Sequence, residues 1–144
     1  MDREAIYAAL FGMVSPLQDN GFKVVSRRTE MVDEMQSSRM PALFQRQLSQ
    51  QVTKKTALPP KFEMGAEWLI YIHQPDRSLP MTPELNQLVD AVSAALRPKV
   101  PLAKQTLNGL VEDACIDGSI EIYEGLLEDR AVAIIPIRIL LPGW

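Results

Sequence analysis

The sequence predicts an α+β fold: a two-layer sandwich in which a mostly antiparallel or mixed sheet carries two main helices on one face. Three observations predict it. Lys61–His73, KFEMGAEWLIYIH, alternates with period two, so that Phe62, Met64, Ala66, Trp68, Ile70 and Ile72 fall on one side of a strand. Residues 83–97 repeat apolar side chains at helical spacing. The elements run helix, strands, helix, strands, and covering one sheet face with both helices is the economical way to bury their apolar stripes. A length of 144 residues suits one domain with one core, spanning 1–144. No internal repeat or low-complexity segment marks a second.

Taken in order, residues 2–17 are predicted helical. Ile6, Leu10, Met13, Val14 and Leu17 share one face, and Asp2 and Glu4 suit the positive end of the helix dipole. Pro16 and then Asp19-Asn20-Gly21 stop it. Residues 22–28, FKVVSRR, form a short strand, and the polar, methionine-bearing residues 29–40 form a loop. A second extended segment starts at Pro41 and runs to about Gln50. Residues 51–60 are polar and close on Pro59-Pro60, which delays strand entry. The other side of the long strand that follows changes from charged (Lys61, Glu63, Glu67) to apolar (Leu69, Tyr71), so its far end is expected to be covered on both faces. Pro75 and Pro80 bound a turn. Thr82 is the expected N-cap, with Pro83 at the first helical position and Glu84 on the dipole. Leu85, Leu88, Val89, Val92 and Leu96 form the stripe of this second helix, which Pro98 and Pro101 end. After a loop at 99–107, residues 110–117 are extended and Gly118 turns. Residues 119–124, SIEIYE, alternate as a half-exposed strand. Residues 125–129 turn, and Arg130–Leu141 is a nearly continuous apolar strand. Its Pro136 lacks a ladder donor and predicts a bulge or an edge.

The composition excludes several function classes. The chain is 47% hydrophobic and 23% charged, as in ordinary globular proteins. A net charge of −3 argues against a dedicated nucleic-acid binder, which concentrates positive charge. Cys115 is the single cysteine, so no internal disulfide forms. No signal-peptide pattern and no membrane-length apolar run is visible, which leads us to expect a protein made in the cytosol. His73 stands at a strand end with no motif to supply a catalytic partner, and Cys115 reads as a small buried apolar residue. Glu112, Asp113 and Asp117 show no metal-ligand spacing, and no glycine-rich phosphate loop occurs. We therefore expect no catalytic residue, no metal and no cofactor.

Several segments taken together resemble the small tail proteins of long-tailed bacteriophages, the minor tail or tail terminator (tail-completion) proteins. They are Arg27-Arg28, Met40-Pro41-Ala42-Leu43-Phe44, Pro59-Pro60-Lys61, EWLIYIH, and LNQLVDAVSAAL at 85–96. QTLNGLVEDACIDGSIEIYEG at 105–125 and AVAIIPIRIL at 131–140 follow. The likeness runs from about Phe22 onward and lies in the order of packing and turn patterns, none of which is a chemical signature. The resemblance implies a non-enzymatic virion protein, assembled in the bacterial host cytoplasm. It would cap the tail tube as a ring, usually of six copies, end tube growth and present the head-joining surface. The implied partners are further copies of itself, the tail tube protein and the head–tail connector, with DNA passing through the lumen unbound by sequence. A ring needs a heterologous interface. Met31, Met35, Arg39, Met40 and Arg46 are the candidates for one patch, and Glu121, Glu124, Glu128 and Asp129 for an acidic face toward a neighbour or the lumen. Two readings stand beside this one. The first is a head–tail joining or other minor tail component, or an adaptor of a contractile or secretion device. The second is a small ligand-binding or enzymatic domain with a pocket near Trp68, Tyr71 and His73.

Overall fold

A computed structural model describes residues 1–56 and 58–141. Its centre is a pair of long antiparallel strands, β3 (Lys61–His73) and β6 (Arg130–Leu141), in register from Phe62 opposite Leu141 to His73 opposite Arg130. β2 (Ala42–Thr53) lines the other side of β3 antiparallel, and β1 (Val24–Ser26) adds a short parallel strand to the start of β2. The outer side of β6 is shared. β4 (Asp113–Ile116) takes its C-terminal part and β5 (Glu121–Leu126) its N-terminal part, both antiparallel. The result is a mixed six-stranded sheet in the order β1-β2-β3-β6-β4, with β5 also on β6. The α+β expectation holds.

The helices are α1 (Arg3–Val14) and α2 (Thr82–Ala95). Asp2 caps α1, its Oδ1 accepting from the Ala5 amide at 3.0 Å. Ile6, Leu10 and Val14 are buried as the spacing predicts, together with Tyr7, which the spacing did not single out. Residues 15–17 continue as a 3₁₀ turn rather than as α-helix. The stripe of α2 packs on the same cluster through Leu85, Val92 and Leu96, with Leu88 and Val89 partly buried beside them. One cap differs from expectation. The N-cap is Met81, and Thr82 lies inside the helix with no side-chain capping bond. At the other end the helix stops at Ala95. There Gln105, from the loop that follows, donates Nε2 to the carbonyls of Leu96 and Arg97 at 3.0 and 3.3 Å, which satisfies acceptors that the helix leaves open.

The six period-two residues of β3 all enter the helix-side core, joined by Ala131, Ala133, Ile135, Ile137 and Ile139 of β6. On the opposite face a smaller cluster gathers Leu69, Tyr71, Phe44, Ala42 and Val132 under Met35 and Met40. The charged-to-apolar change along β3 thus marks where residues 30–40 fold over the second face. The expected pocket near Trp68, Tyr71 and His73 does not form. Trp68 is fully buried under the helices, whereas Tyr71 points to the other face, where its ring meets Phe44 with centroids 5.3 Å apart.

Three strand details depart from the sequence reading. β2 continues through the polar residues 51–53, because β3 is long enough to partner it along its whole length; Ala57, in the stretch beyond, lies outside the described residues. β5 starts two residues later than expected and is exposed on both faces, with Ile120, Ile122 and Tyr123 all open to solvent. Pro136 makes neither a bulge nor an edge. Its carbonyl accepts from the Asp117 amide on the outer side of β6, so its missing N–H falls in the gap between β4 and β5, and pairing with β3 is unbroken.

Gly65 faces the one irregularity of the β2–β3 ladder. Between Gln47 and Gln50 the register shifts, so that Leu48 and Ser49 face Gly65. A Cβ there would lie 3.1 Å from Leu48 Cβ and 3.2 Å from the Ser49 carbonyl oxygen. Gly65→Val is expected to cost about 1–3 kcal/mol as overpacking, against the stabilisation that valine's strand preference alone would bring. The urea midpoint decides the sign.

Candidate functional site

Three surfaces carry chemistry. The first is the open half of the sheet's second face, beyond the edge of the 30–40 cover. Period two places polar residues of β2, β3 and β6 there side by side. Arg46 pairs with Glu67, whose side chain is 11% exposed. Arg138 bridges Glu63 and Asp117, the latter at 3.0 Å. Glu63 is held below the ordinary carboxylate range, chiefly by its hydrogen bond from Arg138, and Arg138 is pushed up by the same bond. A carboxylate lowered in the folded state stabilises above its unfolded pKa, and this contribution is lost as pH falls through the lowered value. Stability is therefore expected to decline as pH falls below about 5, and Arg138→Gln is expected to flatten that decline in urea midpoints taken across the acid range. Asp76, lowered by its bonds from Ser78, supplies a background of the same sign that the substitution leaves in place.

The second surface is the loop side. Of the five residues expected at a subunit interface, Met35 and Met40 are instead inside the smaller core, 2% and 4% exposed. Adaptable methionines fill the irregular space under the loop. Met31 is exposed. Arg39 donates to Glu30 at 2.7 Å, and Arg46 is engaged with Glu67, so both arginines have partners within the subunit. Tyr71 Oη donates to the Glu30 carbonyl at 2.8 Å, and Arg130 Nη1 donates to the carbonyls of Val32 and Met35, fastening the loop to the sheet.

The third is the β5–β6 hairpin, where the four expected acidic residues divide into two pairs. Glu121 and Glu124 stand on exposed β5, Glu121 accepting from Tyr123 Oη at 2.8 Å. Glu128 and Asp129 occupy the turn and meet cations. Arg77 reaches Glu128 at 2.6 Å, and His73 Nε2 lies 2.9 Å from Asp129 Oδ2. The His73–Asp129 pair was invisible in the sequence because 56 positions separate its members. Strand register brings them together, with His73 opposite Arg130.

A cleft of about 400 Å³ opens beside these surfaces, lined by Leu96, Arg97, Lys104, Gln105, Asp113 and Cys115. Burial pushes the Cys115 thiol up, and the carboxylates of Asp113 and Asp117 add to the effect, which leaves a poor nucleophile at neutral pH. Among the described residues no group of three or more His, Cys, Asp or Glu side chains could hold a metal ion, and no helix is long and apolar enough to cross a membrane.

No family model matches the chain, and no curated protein matches it.

Proposed function

We propose that this chain is a structural virion protein that caps a phage tail tube as a ring, ends tube growth and offers the surface to which the head connector binds. The observation that carries this reading is that one subunit presents unlike surfaces at opposite sides of its sheet. The outer part of β2 runs into Lys54 and Lys55, and exposed β5 carries Glu121 and Glu124. A head-to-tail ring requires such a pair. The same acidic strand, turned toward a lumen, would let DNA pass without being held. The role needs no catalysis and no cofactor. The order of packing segments from Phe22 onward supports it independently of the surfaces.

Electron microscopy of tails assembled with and without the protein tests the reading. Overlong tubes in its absence are the expected result. Tails of normal length that fail to join heads would move the protein to the joining step, and normal, head-bearing tails would overturn both roles.

A binding or enzymatic role has one observation in its favour, the cleft beside Cys115. Its test is the mass of the protein under native conditions with a fragment library present. A bound fragment that Cys115→Trp displaces would favour that role over the structural one.

A further inference from the structure

We infer that two copies of this chain join edge to edge, the outer half of β2 from one pairing antiparallel with β5 of the next to continue the sheet between subunits. The inference rests on the ring reading for its biological setting and deepens it by assigning the interface. Among the described residues, β1 covers β2 only from Ala42 to Phe44, and no strand lies on the outer side of β2 from Gln45 to Thr53. On the far side of the sheet, β5 pairs with β6 alone. Each strand therefore presents a row of main-chain donors and acceptors without a ladder partner.

The two edges are only partly protected. A solvent-facing edge is normally blunted by proline, by charged side chains, by a bulge or by extreme shortness. β2 from Gln45 to Thr53 reads QRQLSQQVT, with no proline, no lysine and one bulge at Leu48-Ser49, and β5 has no proline or lysine and one register shift, between Tyr123 and Leu126. Exposed apolar side chains flank both edges: Leu48 and Val52 on one, Ile120, Ile122 and Tyr123 on the other.

A second copy is the occupant that fits both edges at once. Charge is complementary, with Lys54 and Lys55 just beyond the first edge and Glu121 and Glu124 on the second. Direction is complementary too. β2 runs antiparallel to β3 and β5 antiparallel to β6, so neighbours of the same polarity bring β2 and β5 together antiparallel. The edges are offset along the strands. Gln50 is level with Met64 and hence with Ile139, whereas Tyr123 is level with Val132, seven residues away along β6. Successive copies then step by about 24 Å in the strand direction, so strands tilt from the ring axis as they do in any closed sheet.

Cysteine cross-linking tests this. In a Cys115→Ala background, Gln51→Cys and Glu124→Cys are placed on one chain and treated with a short bismaleimide. Within a subunit the two positions lie three strand spacings apart across the sheet, roughly 14 Å, and about eight residues apart along it, roughly 27 Å, beyond the reach of the linker. The expected result is a ladder of multimers on a denaturing gel from the double variant and monomer from each single variant. A dimer from Gln51→Cys alone would show like edges pairing and overturn the inference. In parallel, Ile122→Pro is expected to reduce the wild-type mass in light scattering to that of a monomer while circular dichroism stays unchanged. Wild-type assembly with no ladder and no effect of Ile122→Pro overturns the edge pairing and leaves the ring reading standing. A wild type that stays monomeric at its highest soluble concentration also overturns it, because these edges should pair unaided; rings seen on tails would then keep the ring reading, and their absence would end both.

Discussion

Trp68→Ala is expected to lower stability by about 3–5 kcal/mol, a large part of the roughly 5–15 kcal/mol that holds a domain of this size together. Trp68 is fully buried at the middle of β3, between the helices and the sheet, and its removal opens a cavity that the strand partners on either side cannot close. A polar contribution adds to the packing. Trp68 Nε1 donates to Gln45 Oε1 at 3.0 Å, and Gln45 Nε2 donates to the Tyr7 carbonyl at 3.0 Å. Gln45 is 2% exposed, so without the indole its oxygen has no water to turn to. Trp68→Phe isolates that part. It keeps most of the volume and is expected to cost about 1–3 kcal/mol, the desolvation penalty of an orphaned buried acceptor. Adding Gln45→Met should recover some of the loss, because removing both partners costs less than removing one. Denaturant unfolding of Trp68→Phe, Gln45→Met and the double variant measures the cycle. Strictly additive losses would show that the hydrogen bond contributes nothing to stability.

This chain of contacts also shows what a sequence reader sees and misses. Period two along β3 placed Trp68 in the core correctly, because a strand buried on one face leaves a local trace. The helix stripes were legible for the same reason. Gln45 left none: its burial follows from the register of β2 against β3 and from α1 lying across it. Tyr7 was missed because its hydroxyl reaches the Gly65 carbonyl at 2.9 Å, a partner 58 positions away. The polar residues 51–53 read as loop because their composition is that of a loop, yet a long partner strand recruits them. Met35 and Met40 read as contact residues because loop methionines often are, and only the packing shows that they roof the second face. The surfaces behaved likewise. Acidic residues near Glu121–Leu126 were visible in the sequence. That β5 is bare on both faces and the outer side of β2 unpaired is a property of strand order, which no local pattern records.

Arg130→Met is expected to release residues 30–40 from the sheet while the helix-side core survives. Arg130 begins β6, and its side chain is 13% exposed. Its Nη1 donates to the carbonyls of Val32 and Met35, the latter at 2.7 Å, so one guanidinium satisfies two acceptors of a segment that has no strand ladder of its own. Asp129 Oδ1 stands 3.9 Å from Nε, too far for a hydrogen bond, so the segment is where this charge finds its close partners. Hydrogen bonds to a charged donor contribute about 1.5–3 kcal/mol each, and methionine leaves both part-buried carbonyls without this donor. A loss of about 3 kcal/mol is expected, or some 6–12 °C in melting temperature for a chain of this length. The loss should be local. Amide exchange is expected to accelerate through residues 30–40 and around Tyr71, whose hydroxyl holds the Glu30 carbonyl, and to change little in α1 and α2. Arg130→Lys separates charge from geometry. A single ammonium keeps the charge but loses the planar fork, so an intermediate loss is expected. Exchange rates in residues 30–40 equal to those of the wild type in both variants would show that Met35 and Met40 hold the cover by packing alone.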